Sequence, residues 1–148
     1  MFTHLLVALD GSPEAEAVIP HSLAIASSMN AEVTLLRIVD AVSADWSERG
    51  ALATSQLEAA SRNALAEQAR LYLERVAAPM RQRGVIVNVL VHQGAAARQI
   101  VAAARDVEAD GIAMATHSRH GLNRLVFGSV AEEVLHAAQI PVILVPAA

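Results

Sequence analysis

The sequence contains no lysine and no cysteine. All eleven basic side chains are arginines, which excludes a P-loop lysine, a Schiff-base lysine and a lysine general base. Without cysteine there is no disulfide, no thiolate nucleophile and no zinc–thiolate site. Aromatic residues make up 3% of the chain, and no apolar run approaches the roughly 18 residues that span a bilayer. Met1-Phe2-Thr3-His4 lacks a charged segment followed by a long apolar one, so no signal peptide is read there and a cytoplasmic location is expected. Fifteen acidic residues outnumber the eleven basic ones. No basic stripe marks a nucleic-acid binder.

What is present is aliphatic. The 148 residues fit one domain spanning 1–148. A core of Val, Ile, Leu and Ala suits a parallel sheet covered by helices on both faces. His4 to Leu9 has strand length and ends at Asp10-Gly11-Ser12-Pro13. There Ser12 reads as a helix N-cap, with proline at the first helical position. Helical spacing continues to about Met29, and Pro20 within it implies a kink or a later start. Glu32 to Val39 is a second strand. A polar loop from Asp40 to Ala53 carries Trp46, the only tryptophan. A long helix from about Thr54 to Arg83 follows, with Leu57, Ala60, Leu65, Ala69, Leu73 and Val76 as its expected inner face and Gly84 as its stop. Val85 to Val91, a helix over 95–107, Asp110 to Ala115, a loop, a helix from Gly128 to about Ala138 and Pro141 to Val145 complete the pattern. It is a doubly wound α/β chain, with right-handed crossovers and ligands expected at the carboxyl ends of the strands.

Two loops therefore carry the chemistry, those after the first and fourth strands. Gly128-Ser129-Val130 opens a helix, and a helix N-terminus offers unpaired N–H groups and a positive dipole end to an anion. The same residues, Ser129-Val130-Ala131-Glu132, also read as a capping box that uses those donors internally. The preceding loop holds Arg119 and Arg124, whose forked donors suit phosphate oxygens, as well as His117 and His120. That H-x-x-H spacing without a third ligand is a weak metal signal. Asp10 suits a ribose hydroxyl or a metal-bound phosphate, or else an Asx turn into the first helix. His21, His92 and His136 read as structural residues, and Asp40 as a turn residue. Neither Ser12 nor Ser129 sits in a nucleophile elbow, and no Walker A motif or glycine-rich fingerprint follows the first strand. No catalytic constellation is visible.

The opening Leu6-Val7-Ala8-Leu9-Asp10-Gly11-Ser12 and the stretch from Asp110 to Val145 resemble the universal stress protein family. Gly94, Asp110-Gly111-Ile112-Ala113-Met114-Ala115-Thr116-His117-Ser118-Arg119 and Gly128-Ser129-Val130-Ala131-Glu132 carry the likeness, which covers the whole chain. The resemblance implies a Rossmann-like five-stranded parallel sheet in the order 3-2-1-4-5. It also implies a homodimer paired through Pro141 to Val145, where an apolar edge strand invites pairing. Many members bind ATP through a motif of the form G-x2-G-x9-G-[S/T]. Its positions fall on Ala115, Ser118, Gly128 and Ser129, so the last two match and the first two glycines are replaced.

By that resemblance adenine lies against Ala8 and Ile38 and the ribose near Asp10. The phosphates fall on Ser118, Arg119, Gly128, Ser129 and Val130, with magnesium accompanying ATP near Asp10. The implied role is a nucleotide-dependent regulatory or interaction module of the stress response, with client proteins as partners and little or no hydrolysis. Two rivals stand beside it. One is a slow ATPase using Asp10 or a loop histidine as base, and the other a nucleotide-free dimeric scaffold in which Gly128-Ser129 only caps its helix.

Overall fold

A computed structural model describes residues 1–39, 51–116 and 128–147. The elements, in chain order, are β1 (His4–Leu9), a 3-10 turn (Ala15–Ala17), α1 (Val18–Met29), β2 (Glu32–Val39), α2 (Ala51–Gln82), β3 (Val87–Gln93), α3 (Ala96–Asp106), β4 (Gly111–Thr116), α4 (Ser129–Ala137) and β5 (Val142–Pro146). The strands form one sheet in the order β3-β2-β1-β4-β5. Every pairing is parallel, with Ala8 opposite Leu36 on one side and Met114 on the other. This is the α/β architecture expected from the sequence. Among the described residues no helix is long and apolar enough to cross a membrane.

Strand alternation divides the core into two layers. Leu5, Val7, Leu9, Val33 and Leu35 face α1 and α2, where Val18, Ala26, Leu73, Ala77 and Met80 cover them. Leu6, Leu36, Ile112 and Met114 face α3 and α4 and meet Ile100, Ala103, Ala104, Ala131 and Val134. The alanines let helix backbones approach the sheet closely, which is how a core with few aromatic rings stays filled.

The helices depart from the sequence reading in two places. The first turn after β1 is the short 3-10 turn, and α1 starts only at Val18. Pro20 then lies in the first turn of α1, where an N–H has no intrahelical acceptor, so it leaves no gap in the ladder. In α2 the buried stripe is Ala69, Leu73, Ala77 and Met80, whereas Leu65 is 42% exposed. Ala60 also faces water, and the Leu57 side chain lies outside the described residues. An alanine-rich helix offers more than one apolar stripe, so contact with the sheet, not periodicity, selects the buried one. Gly84 ends the helix region with φ +86° while its N–H donates to the Arg81 carbonyl, as the sequence position suggests.

Asp110 ties the start of β4 to the start of β1. Its carboxylate accepts from the Thr3 N–H and hydroxyl, both at 2.8 Å, and from the His4 N–H at 3.0 Å. Burial opposes ionisation, but these hydrogen bonds outweigh it and hold the carboxyl below the ordinary carboxylate range. A folded-state pKa below the unfolded one contributes stability above about pH 4, which is lost as pH falls through the folded value. Asp110→Ala is expected to cost about 1–3 kcal/mol at neutral pH. The penalty should shrink below about pH 4 in urea titrations repeated across pH. A penalty independent of pH would assign it to packing instead.

Candidate functional site

At the carboxyl edge of the sheet, on the α3–α4 side, lies a cavity of about 210 Å3. Ala8 closes one wall from β1 and Ile38 another from β2. The α3 residues Ala96 and Ile100 form a third, and Met114, Ala115 and Thr116 come from β4. Gly128, Ser129, Val130 and Ala131 supply the start of α4, and Asp10 stands at the exposed mouth. Strand alternation explains Ala8 and Met114, since both point toward the α3–α4 layer. The small side chain of Ala8 at the strand end leaves the slot open.

The α4 end is built differently from the capping box expected there. Gly128, not Ser129, occupies the N-cap, and among the described residues no side chain caps the helix. The Glu132 N–H donates to the Gly128 carbonyl at 3.1 Å, and Ser129 is already helical. The N–H groups of Ser129, Val130 and Ala131 therefore lack intrahelical acceptors beside the cavity. Gly128 has φ −52° and ψ 151°, a conformation open to any residue. A Cβ there would meet no described atom within 4 Å. Neither backbone strain nor the packing of the described residues calls for glycine at this position. Its missing side chain keeps the space over the helix end clear.

Asp10 makes the Asx turn read as one of its two roles. Its Oδ1 accepts from the Ser12 N–H at 2.8 Å and from the Ser12 hydroxyl at 2.6 Å. Ser12 Oγ in turn accepts from the Ala15 N–H at 3.2 Å, so the serine does cap the turn after β1. The carboxylate is thereby held at the cavity mouth.

Seven of the nine nucleotide-site residues that the family resemblance implies line this cavity: Ala8, Asp10, Ile38, Ala115, Gly128, Ser129 and Val130. Ser118 and Arg119 lie outside the described residues, as do His117, His120, Arg124, Asp40 and Trp46. The α3 wall of Ala96 and Ile100 was not foreseen as part of the site. Its signal was Gly94-Ala95-Ala96, a helix start with small residues at the sheet's carboxyl edge. His92 hydrogen-bonds Gln99 Oε1 through Nδ1 at 3.2 Å, and His21 and His136 are exposed.

The sequence pattern of the universal stress protein family matches residues 1–146. Universal stress protein MJ0531 of Methanocaldococcus jannaschii is 32% identical over 145 residues, covering 98% of this chain and 82% of that protein. Among solved structures, hypothetical protein MJ0577 superposes with a TM-score of 0.82 at 26% identity, over 100% of this chain and 98% of the other. Universal stress protein MJ0577 is the name that protein carries in M. jannaschii. Two more distant structures share the fold. A universal stress protein in complex with cAMP has a TM-score of 0.63 at 18% identity, over 99% and 98% of the chains. One from Archaeoglobus fulgidus in complex with dAMP has 0.62 at 21%, over 96% of each.

Proposed function

The chain belongs to the universal stress protein family, and on that premise we propose that it binds ATP in the cavity between β1, β4 and α4. The observation that carries this reading is the start of α4, capped by no described side chain, opening onto an apolar slot. Ala8, Ile38 and Ile100 offer flat apolar surface to a purine, and the Asp10 carboxylate suits a ribose hydroxyl. The free N–H groups of Ser129, Val130 and Ala131, with the Ser129 hydroxyl, suit phosphate oxygens over the space left by Gly128. Ala115 replaces a family glycine with only an added methyl, on a strand residue of the cavity wall. Ser118 and Arg119 complete the phosphate side in this reading. Magnesium, bound with the nucleotide near Asp10, neutralises phosphate charge. Structures of the same fold in complex with cAMP and dAMP make an adenine ligand the natural choice.

The protein then acts as a cytoplasmic regulatory module whose surface reports nucleotide occupancy to client proteins. No lysine is available to steady a transferring phosphate, so hydrolysis is slow. It pairs with a second copy through β5, an edge strand bonded in the described structure only to β4, with Val142, Ile143 and Leu144 half-buried.

Melting of the purified protein with Mg·ATP, ADP, AMP and GTP at fixed protein concentration tests the proposal. Ligand at a hundred times its Kd stabilises the native state by about 2.7 kcal/mol, a rise of several degrees for a domain of this size. An adenine-selective rise, largest for Mg·ATP, is expected. A flat response to every nucleotide, in protein free of co-purified ligand, leaves the nucleotide-free scaffold as the reading.

A further inference from the structure

A second cavity, larger than the nucleotide slot, lies on the opposite face of the sheet. α3 and α4 pack against each other over their face, whereas α1 and α2 scarcely touch over theirs. Between α1 and α2 runs an open groove of about 900 Å3. Its floor is apolar: Ile19 and Leu23 from α1 and Val76 and Met80 from α2 rest on the buried layer beneath.

Charge is distributed unevenly along this groove. Arg75 and Arg83 line it from the α2 side, exposed, and neither makes an ion pair with another described residue. Arg70 and Arg81 of the same helix do, with Glu67 at 2.7 Å and Glu74 at 2.6 Å. A chain of net charge −4 thus holds two unspent cations over an apolar floor. The acid of the groove, Glu16, precedes α1 and lies at the other end from Arg83, because α1 and α2 both run antiparallel to the strands. Arg83 lies eight positions beyond Arg75, just past the end of α2, about 12 Å along the helix axis.

We propose that the α1–α2 groove docks an amphipathic helix of a partner protein, one whose apolar stripe is flanked by carboxylates about two turns apart. The carboxylates meet Arg75 and Arg83, and the apolar stripe covers Ile19, Leu23 and Val76. The same groove repels a basic amphipathic helix at its Arg83 end, which gives the site selectivity as well as affinity.

A displayed library of helical peptides, selected on the immobilised full chain, tests this. The expected winners carry apolar residues at i, i+3 or i+4, and i+7, with Asp or Glu about two turns apart. Arg75→Glu with Arg83→Glu, both at exposed positions, should weaken them by about tenfold or more. The double variant should keep the parent melting temperature and the parent response to Mg·ATP, and should itself select basic peptides. Winners without acidic bias, or winners that bind the double variant equally well, overturn the proposal. So does sedimentation showing a concentration-dependent dimer that the double variant dissolves, since the occupant is then a second copy of this chain.

Discussion

Gly128→Asp is expected to leave the protein at least as stable as the parent and to remove most of its thermal response to Mg·ATP. The two halves of this result come from different physics. Gly128 sits at the N-cap of α4 in a backbone conformation that any residue adopts, and a Cβ there meets no described atom within 4 Å. Aspartate is among the best N-cap residues, so the helix gains a few tenths of a kcal/mol from the exchange. The new carboxylate, however, stands where the phosphates are proposed to lie. Two unit charges about 4 Å apart repel by about 4 kcal/mol at an effective dielectric of 20. With half of that lost to solvent and counterions, the remaining 2 kcal/mol weakens binding about thirtyfold. At an ATP concentration a hundred times the parent Kd, the ligand stabilisation falls from about 2.7 to about 0.9 kcal/mol. If Gly128 only caps its helix, the substitution raises stability and nothing else changes. Isothermal titration alongside melting separates the two outcomes, and a variant that keeps the parent affinity takes the phosphates off the start of α4.

The layered architecture was legible because strand alternation and helical spacing are both strong in an aliphatic chain. Leu5, Val7 and Leu9 against Leu6 and Ala8 already assign the two faces of β1. The candidate site was legible for a narrower reason. Only the Asp10 loop and Gly128-Ser129 follow from strand ends and a helix start; Ala8, Ile38 and Ala115 came from the family resemblance, and the fold brings all of them to one cavity at the edge of the sheet. What escaped was the part set by tertiary contact. The α3 wall of Ala96 and Ile100 reads in sequence as an ordinary amphipathic helix, and only the crossover direction turns it toward the slot. The roles within the Gly128–Glu132 segment were also misassigned by one residue. Capping chemistry in the sequence favours Ser129 as N-cap, whereas the backbone starts the helix at Ser129 and leaves Gly128 outside it. Arg37 drew no notice at all, since a lone arginine in a β-branched run looks like a solvated strand end.

Arg37 is what makes Gly11→Ala the substitution with the largest expected effect on folding. Gly11 has φ +86°, a region that costs an L-residue about 1–2 kcal/mol. A Cβ added there runs into the Arg37 guanidinium. That group is not free to swing away without loss. Its Cζ lies 5.9 Å from the centroid of the Tyr72 ring, and Nε is buried without a hydrogen-bond partner among the described residues. The pairing is cation on ring, not ion on phenolate. Burial, helped by the Glu16 carboxylate, pushes the Tyr72 phenol up to about 12, so it stays neutral at any working pH. Forcing the guanidinium off the ring forfeits about a further 0.5–1 kcal/mol. It also shifts the turn in which Ser12 holds Asp10, so the same substitution should weaken nucleotide binding at the cavity mouth. Gly11→Ala is therefore expected to destabilise by about 1.5–3 kcal/mol, the sum of the strain and the displaced contact. A double-mutant cycle with Arg37→Ala divides the two. Removing the guanidinium clears the collision but not the strain, so Gly11→Ala in that background should cost only about 1–2 kcal/mol. An unchanged cost would place the whole effect in the backbone and leave Arg37 as a bystander to the turn. A cost that vanishes would show that the turn relaxes out of its left-handed conformation once the guanidinium is gone, which makes Arg37 the residue that holds Asp10 at the mouth of the site.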